Sequence, residues 1–557
     1  IELFGVRLLV AGSSIMLLPI IGLFSLAEVA HGFHTLVRRS FPSTVMQNDI
    51  VRPLGGYERL LSRKTPGSEQ VSLSHGCAVL LKGTLKSDIL RFALASIIAR
   101  HPMLHTCILP DEPDNKSPKW KYCTDSIDTL IDRALTRVEV TENEFDETWK
   151  KSLESAVNEA VFHSDGPLWK LTTIECNTNT KQKTAWIFCV NHGIDDQQSV
   201  NIMVQDMLYA CESYMSGNKD IPESLLFPEN IEKTISPDNP GLNTMLWAAF
   251  QLGNSLSGPS MLPHRIIKYL KSSSDKYRNL LKANNRRTSL QYLTLSNKQM
   301  SSLRRLCRSH GVTVTHALSG LISCATAEAI HQQENGEIEM ISEKSMNEKI
   351  RFLLSVGLRS FDIKNIQSGK RLDVNRDFTQ GTVACAGGAI DYILSLPIGA
   401  RRFYEHLLTN NTEVNEADKQ SFWMLAKQSS IASQDIINKG FVTESVRLFG
   451  LGMQYADVLA VVEMDANSDT LGRGYSCGVS NVGLVKFMKG SKSGLEVDDV
   501  FYCTSHARNG VLIQLSCLTA GEKFCGCLQF PDPIIDSSLC NILTDRLQLA
   551  LNKLCEI

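Results

Sequence analysis

Short β-prone apolar runs alternate with helix-period segments along both halves of the chain. That alternation narrows the fold to layered sheet-and-helix architectures. In the first half, Ser72–Leu81 reads as a strand. Leu85–Arg100 follows as a helix with Leu85, Ile89, Leu90, Phe92, Ala93, Ile97 and Ile98 mostly on one face; Ser87-Asp88 starts it and His101-Pro102 stops it. Met103–Leu109, Leu168–Glu175 and Thr184–Val190 read as strands, and Phe145–Val161 as an amphipathic helix. In the second half, strands are predicted at Leu290–Leu295, Phe352–Leu358, Val458–Glu463, Gly483–Phe487, Val500–Ser505 and Val511–Leu518. Helices are predicted at Asn297–His310 (ended by Gly311), Thr313–Ile330 and Asp536–Leu554, with His331–Lys349 a polar surface loop.

A chain of 557 residues is too long for one hydrophobic core, so two lobes are expected. Breaker-rich stretches at Ser236–Gly241 and Gly253–Pro263 frame the boundary. The expected division is a hydrophobic segment at 1–44, a lobe at 45–240, a linker at 241–285 and a second lobe at 286–557. A formal net charge of -2, with no clustered basic face, argues against a nucleic-acid binder. The 16 cysteines include no CxxC pair and no zinc-finger spacing, so no metal site is expected. Many, such as Cys107, Cys189 and Cys517, sit in apolar runs, where a free thiol behaves as a small hydrophobe.

Leu8–Leu26 is 19 residues without a charge, just long enough to span a bilayer. Three readings fit it: a membrane anchor or embedded hairpin, a buried helix, or a signal or transit remnant. Arg7 precedes it, and Arg38 and Arg39 follow. The heavier positive charge on the C-terminal side would keep the main body of a membrane-associated protein on the cytosolic or organelle-matrix side.

The sharpest local feature is Asn191-His192-Gly193-Ile194-Asp195-Asp196-Gln197, placed directly after a strand. It precedes a helix whose apolar face is Val200, Met203, Val204, Met207 and Leu208. A histidine at a strand end, in a turn, is displayed into a cleft by rigid elements. Its near-neutral pKa suits general-base work. The plainer reading is a core histidine with Asp195 or Asp196 capping the next helix. Elsewhere, His163-Ser164-Asp165-Gly166 reads as a structural turn, Gly387-Gly388 as a turn or close-packing signal, and Trp423 as core. Cys525-Gly526-Cys527 is too slight for a metal.

This stretch resembles the HxxxD acyltransferase superfamily, which includes chloramphenicol acetyltransferase, non-ribosomal condensation domains and mycobacterial polyketide-associated acyltransferases. The alcohol acetyltransferase branch is the nearest in pattern. Other landmarks are similar and in the same order. Arg52-Pro53-Leu54-Gly55 with Tyr57-Glu58-Arg59 resembles that branch's opening. Arg100-His101-Pro102-Met103-Leu104 resembles its "rHPxL" helix end, and Asp165-Gly166-Pro167-Leu168-Trp169 its "GPLW" turn. Gly311–Thr315 resembles the helix pair opening the second lobe, Val356-Gly357-Leu358-Arg359 the "v-x-lR" strand, and Ser480-Asn481-Val482-Gly483 the "SNxG" strand start. The resemblance runs from about Val51 to Leu554.

It implies an α/β (α+β) fold of two chloramphenicol-acetyltransferase-like lobes in a V around a central tunnel, beside the N-terminal hydrophobic helix. It also implies direct acyl transfer, without an acyl-enzyme, from a thioester of coenzyme A or a carrier protein to an alcohol or amine. The thioester is a co-substrate, and no permanently bound cofactor is expected. His192 would be the base. Asp196 would support the site by pairing with Arg359, in preference to Arg59. Ser480 and Asn481 would contact the oxyanion or substrate. Asn191 stands where the fuller signature has a first histidine, and Gln197 where it has glycine. From Gln197 comes the alternative of a catalytically inactive homologue, an accessory subunit with protein partners in a membrane-associated assembly.

Overall fold

The structure, a computed structural model, describes residues 50–109, 118–177, 182–235, 246, 279–335, 348–359, 381–409, 415–455 and 457–556. The run Leu8–Leu26, the segment 1–44 and most of the 241–285 linker lie outside the described residues. Among the described residues, no helix is long and apolar enough to cross a membrane.

The first half runs β1 (Ile50–Pro53), α1 (Gly56–Leu61), β2 (Ser74–Lys82), α2 (Ser87–Arg100), β3 (Thr106–Leu109), β4 (Lys119–Tyr122), α3 (Ile127–Ala134), β5 (Leu135–Glu139), α4 (Glu142–Asn158), β6 (Trp169–Asn177), β7 (Gln182–Asn191), α5 (Gln197–Met215) and α6 (Ile231–Ile235). The second runs β8 (Arg287–Leu295), α7 (Asn297–Ser309), α8 (Val314–Asn335), β9 (Glu348–Gly357), β10 (Gly387–Leu396), α9 (Ile398–Leu408), α10 (Glu416–Asn438), α11 (Phe441–Tyr455), α12 (Val458–Ala466), β11 (Arg473–Val485), β12 (Glu496–Thr504), β13 (Gly510–Ala520), β14 (Lys523–Asp532) and α13 (Ser537–Glu556).

The sequence pattern explains the main elements. β7 is the middle of a five-stranded sheet ordered β12-β2-β7-β6-β5, so Thr184–Asn191 is buried throughout and its apolar run is continuous. α4 opens with a Thr141–Glu144 capping box and buries Phe145, Trp149, Leu153 and Val157, four residues apart along one stripe. A six-stranded sheet, β10-β9-β11-β13-β14-β8, carries the second core, and β1-β4-β3 form a small third sheet. The halves interlock: β12, from the second half, pairs antiparallel with β2 from Glu496↔Lys82 to Thr504↔His75. The segment before β12 is fastened to α5, where the Glu212 carboxylate accepts from the Lys492 and Ser493 backbone N–H groups.

Several predicted elements differ. Val458–Glu463 is the start of α12, not a strand: Asp457 caps the Ala460 N–H, and Val458, Val462 and Ala466 are buried at helical spacing. β-Branched composition there masks a helical period. α8 continues past Ile330 to Asn335, so the first part of the predicted His331–Lys349 loop is helix, and Glu348 already begins β9. β11 begins at Arg473, well before Gly483. Gly474 and Gly478 hide it in the sequence, yet at Gly478 an added Cβ would lie 2.8 Å from the Leu353 carbonyl of the adjoining β9. Gly387-Gly388 opens β10, so of its two readings the turn fails and close packing holds: an added Cβ at Gly388 would lie 3.0 Å from Leu358 Cδ1. Pro102–His105 forms a 3₁₀ turn ahead of β3. All 16 cysteines are free and buried, and Trp423 is core, stacked on His310 at 4.2 Å between ring centroids.

Candidate functional site

β7 ends at Asn191 and α5 starts at Gln197, so the His192 motif is the whole connection between them. Asn191 closes the turn: its side-chain oxygen accepts from the Gly193 N–H at 2.9 Å and its carbonyl from the Ile194 N–H at 3.0 Å. Gly193 is required by close approach. An added Cβ there would lie 2.6 Å from Ser62 Cβ and 3.0 Å from the Glu58 carbonyl. α1 is thus packed directly against the turn. The buried Glu58 carboxylate anchors α1, accepting from both Arg52 Nη atoms at 2.8 and 2.7 Å, the Gly55 N–H and Trp120 Nε1. The Arg52–Glu58 landmark therefore supports the His192 turn from below.

His192 Nδ1 lies 3.0 Å from the Asp195 backbone oxygen. A carbonyl can only accept, so Nδ1 carries a proton, and in the neutral ring the lone pair is the one on Nε2. Among the described residues Nε2 has no hydrogen-bond partner. The side chain is 18 % exposed.

Beside it lies a buried network that the sequence reading missed. Asp195 Oδ2 is 2.5 Å from His75 Nδ1, and Asp195 Oδ1 is 3.4 Å from His192 Nδ1. His75 Nε2 is 3.0 Å from Gln197 Oε1, and Gln197 Nε2 donates to Asn201 Oδ1 at 2.9 Å. The His75 and His192 rings stack at 5.5 Å. Burial would lower the His75 pKa, but the Asp195 carboxylate outweighs it and raises the pKa above the ordinary value. Burial likewise opposes ionisation of Asp195, yet the two histidines hold its carboxyl below the usual range. The signal available in the sequence was a histidine inside the apolar strand of Ser72–Leu81.

Asp196 caps α5 through the Ser199 N–H at 2.7 Å and faces Arg359, with Nη2–Oδ1 at 3.0 Å and Nε–Oδ2 at 3.1 Å. Arg359 follows β9 and also donates to the Thr382 and Ala384 carbonyls and to Ser199 Oγ. Arg59 instead donates to the Met453 carbonyl. His101 and Arg100, of the "rHPxL" landmark, meet Asp206 on α5 at 2.9 and 3.0 Å, bracing α2 against that helix.

Ser480 on β11 is reached through Tyr502 of β12. The Tyr502 hydroxyl lies 2.6 Å from the Ser480 carbonyl and 2.9 Å from Ser480 Oγ, and its ring is 6.0 Å from that of His75. Burial pushes the Tyr502 phenol well above its ordinary pKa, so it stays a donor. Asn481 is turned to the fold: its oxygen accepts from the Gly483 N–H and its amide donates to Thr315 Oγ1. The expectation from sequence that the chain lacks a G-x-S-x-G nucleophile elbow is corrected, since Gly474-Tyr475-Ser476-Cys477-Gly478 has that spacing. It lies inside β11 with Ser476 fully buried, not at a strand-to-helix turn. Among the described residues, no cluster of side chains could hold a metal ion.

Comparison with known proteins agrees with the resemblance that this turn carries. A family model described as alcohol acetyltransferase matches residues 128–352. No curated protein matches significantly. Among solved structures, a trichothecene 15-O-acetyltransferase from Fusarium sporotrichioides is similar at TM-score 0.60 and 11 % identity, covering 92 % of this chain and 97 % of that one. The first condensation domain of the calcium-dependent antibiotic synthetase is similar at 0.59 and 11 %, covering 91 % and 96 %. Polyketide synthase associated protein 5 from Mycobacterium tuberculosis gives 0.51 and 13 %, covering 90 % and 98 %. The fold is the mixed α/β fold of these proteins, and the chain resembles the HxxxD acyltransferase superfamily, with the alcohol acetyltransferase branch matching in sequence.

Proposed function

We propose that the protein is an O-acyltransferase that moves an acyl group from a thioester, of coenzyme A or a carrier protein, directly to an acceptor hydroxyl, with an amine less favoured. The observation that carries this reading is the 3.0 Å contact between His192 Nδ1 and the Asp195 backbone oxygen. Giving Nδ1–H to the Asp195 carbonyl leaves the Nε2 lone pair on a partly exposed ring. Nε2 takes the acceptor proton as the oxygen attacks the thioester carbonyl. The tetrahedral intermediate then collapses, the C–S bond breaks, and the imidazolium returns its proton to the departing thiolate. The Ser480 hydroxyl, fixed by Tyr502, is the donor assigned to the oxyanion. Gln197, the departure behind the inactive-homologue alternative, has its side chain committed to His75 and Asn201, which favours the active reading.

The test is release of free thiol from acetyl-CoA and longer acyl-CoAs with a panel of primary alcohols. His192→Ala should lower turnover about 10²–10⁴-fold with the circular dichroism unchanged. Undiminished turnover in that variant would remove the mechanism. No turnover with any pairing in the intact protein would favour the accessory role.

A further inference from the structure

We infer that His75 is a positioning residue for His192, a buried imidazolium that balances Asp195 and so keeps the His192 ring uncharged at rest. The inference deepens the reading of His192 as the base. Its first support is donor–acceptor logic. Gln197 Nε2 donates to Asn201 Oδ1, so Oε1 is what faces His75 Nε2. The Asp195 carboxylate faces Nδ1. With the ionised Asp195 carboxylate at one ring nitrogen and the Gln197 oxygen at the other, each nitrogen carries a proton, which is the doubly protonated ring.

Charge balance is the second support. Asp195 is wholly buried and His75 nearly so, and a lone buried carboxylate would be strongly destabilising. The groups facing His75 are Asp195, Asp196 and His192 from the turn, Gln197 from α5 and Tyr502 from β12, with Cys77, two residues along the same strand, meeting Gln197 Nε2 at 3.5 Å. Asp196 already has Arg359, so His75, at 2.5 Å against 3.4 Å for His192, is the nearer counterion for Asp195. That charge opposes the field of Asp195 on His192, 3.4 Å away. Without it the same carboxylate would pull a proton onto His192 and silence the base. Gln197 acquires a purpose here: a glycine at its position has no side-chain oxygen to accept from His75.

Diethyl pyrocarbonate reacts with neutral imidazole, so the pH midpoint of His192 carbethoxylation, read by peptide mass spectrometry on the full chain, reports the His192 pKa without any substrate. His75→Gln keeps a donor for Asp195 but loses the charge. The midpoint should rise by on the order of one pH unit. It should return to the native value in the His75→Gln/Asp195→Asn double variant. An unchanged midpoint in the single variant, or a midpoint that stays raised in the double, would overturn the inference. If the variants do not fold, ¹⁵N-histidine NMR of the native protein decides: His75 protonated on both nitrogens at pH 7 supports it, and a neutral tautomer refutes it. Full turnover in His192→Ala would end the general-base reading while leaving these ring measurements standing.

Discussion

Asp196 and Arg359 meet across the two halves of the chain in a two-point pair, at 3.0 and 3.1 Å, with their side chains 9 % and 19 % exposed. Asp196 simultaneously caps α5, so one carboxylate orients the His192 turn and ties it to the end of β9. Breaking a buried pair by deleting one partner costs about 3–5 kcal/mol. Asp196→Ala should therefore lower unfolding stability by roughly that amount, measured by denaturant titration. Because both residues act as one unit, the Asp196→Ala/Arg359→Ala double variant should be far less destabilised than the sum of the singles. Additive losses would mean that the two side chains act independently.

Ser480 and Tyr502 predict a different signature. If the Ser480 hydroxyl stabilises the oxyanion, Ser480→Ala should reduce kcat about 10²–10³-fold with little change in KM. Tyr502→Phe removes the bond that fixes Ser480 and should give a smaller loss of the same kind. A rise in KM at constant kcat would instead make Ser480 a ground-state contact.

The parts of the site written in local sequence were legible, and the parts assembled by long-range pairing were not. His192 stands out because an apolar strand, a polar turn and an amphipathic helix follow one another within a short stretch. The partnership of Asp196 with Arg359, 163 residues away, has no local signature, and only the family resemblance suggested it. His75 reaches the site because β2 pairs with β7, which sets it opposite Val190 just before the turn, and Tyr502 because β12 crosses to pair with β2, in a register that sets it opposite Cys77. No periodicity reveals such a crossing. Asn481 matched a family landmark, yet its amide is held by Thr315 and Gly483. α12 was misread because valines favour strands by composition, while an aspartate cap and helical burial decided otherwise.

Glu212 joins α5 to the segment before β12. Its burial opposes ionisation, but donors from Ser493, Lys492 and Ser491 outweigh this and bring its pKa to about 2. A carboxylate depressed in the fold contributes stability above its unfolded value near ~4.3, and that contribution is lost as pH falls toward the folded value. Glu212→Gln should thus melt below the native protein at pH 7, with the difference closing as pH falls from about 4.3 to 2. A gap that is constant across that range would show that charge plays no part in the tie.

Two buried histidines predict a slope on the acid side of neutrality. Burial is the main cause that lowers His316 to about 4 and His506 to about 3; nearby Lys427 and Arg473 add to it respectively. Both are neutral in the fold, while the unfolded chain takes up their protons near pH ~6.5. The unfolded state then binds more protons, so stability rises with pH across this window and falls on acidification from about 6.5 toward 4. His316 sits between Thr313 Oγ1 and Ser433 Oγ at 3.0 and 3.2 Å, so His316→Gln can keep one of those bonds without titrating. Urea unfolding at pH 7, 6 and 5 should show the native protein losing stability at each step. The His316→Gln chain should lose less. Equal slopes in the two proteins would mean that His316 already carries its proton in the folded state.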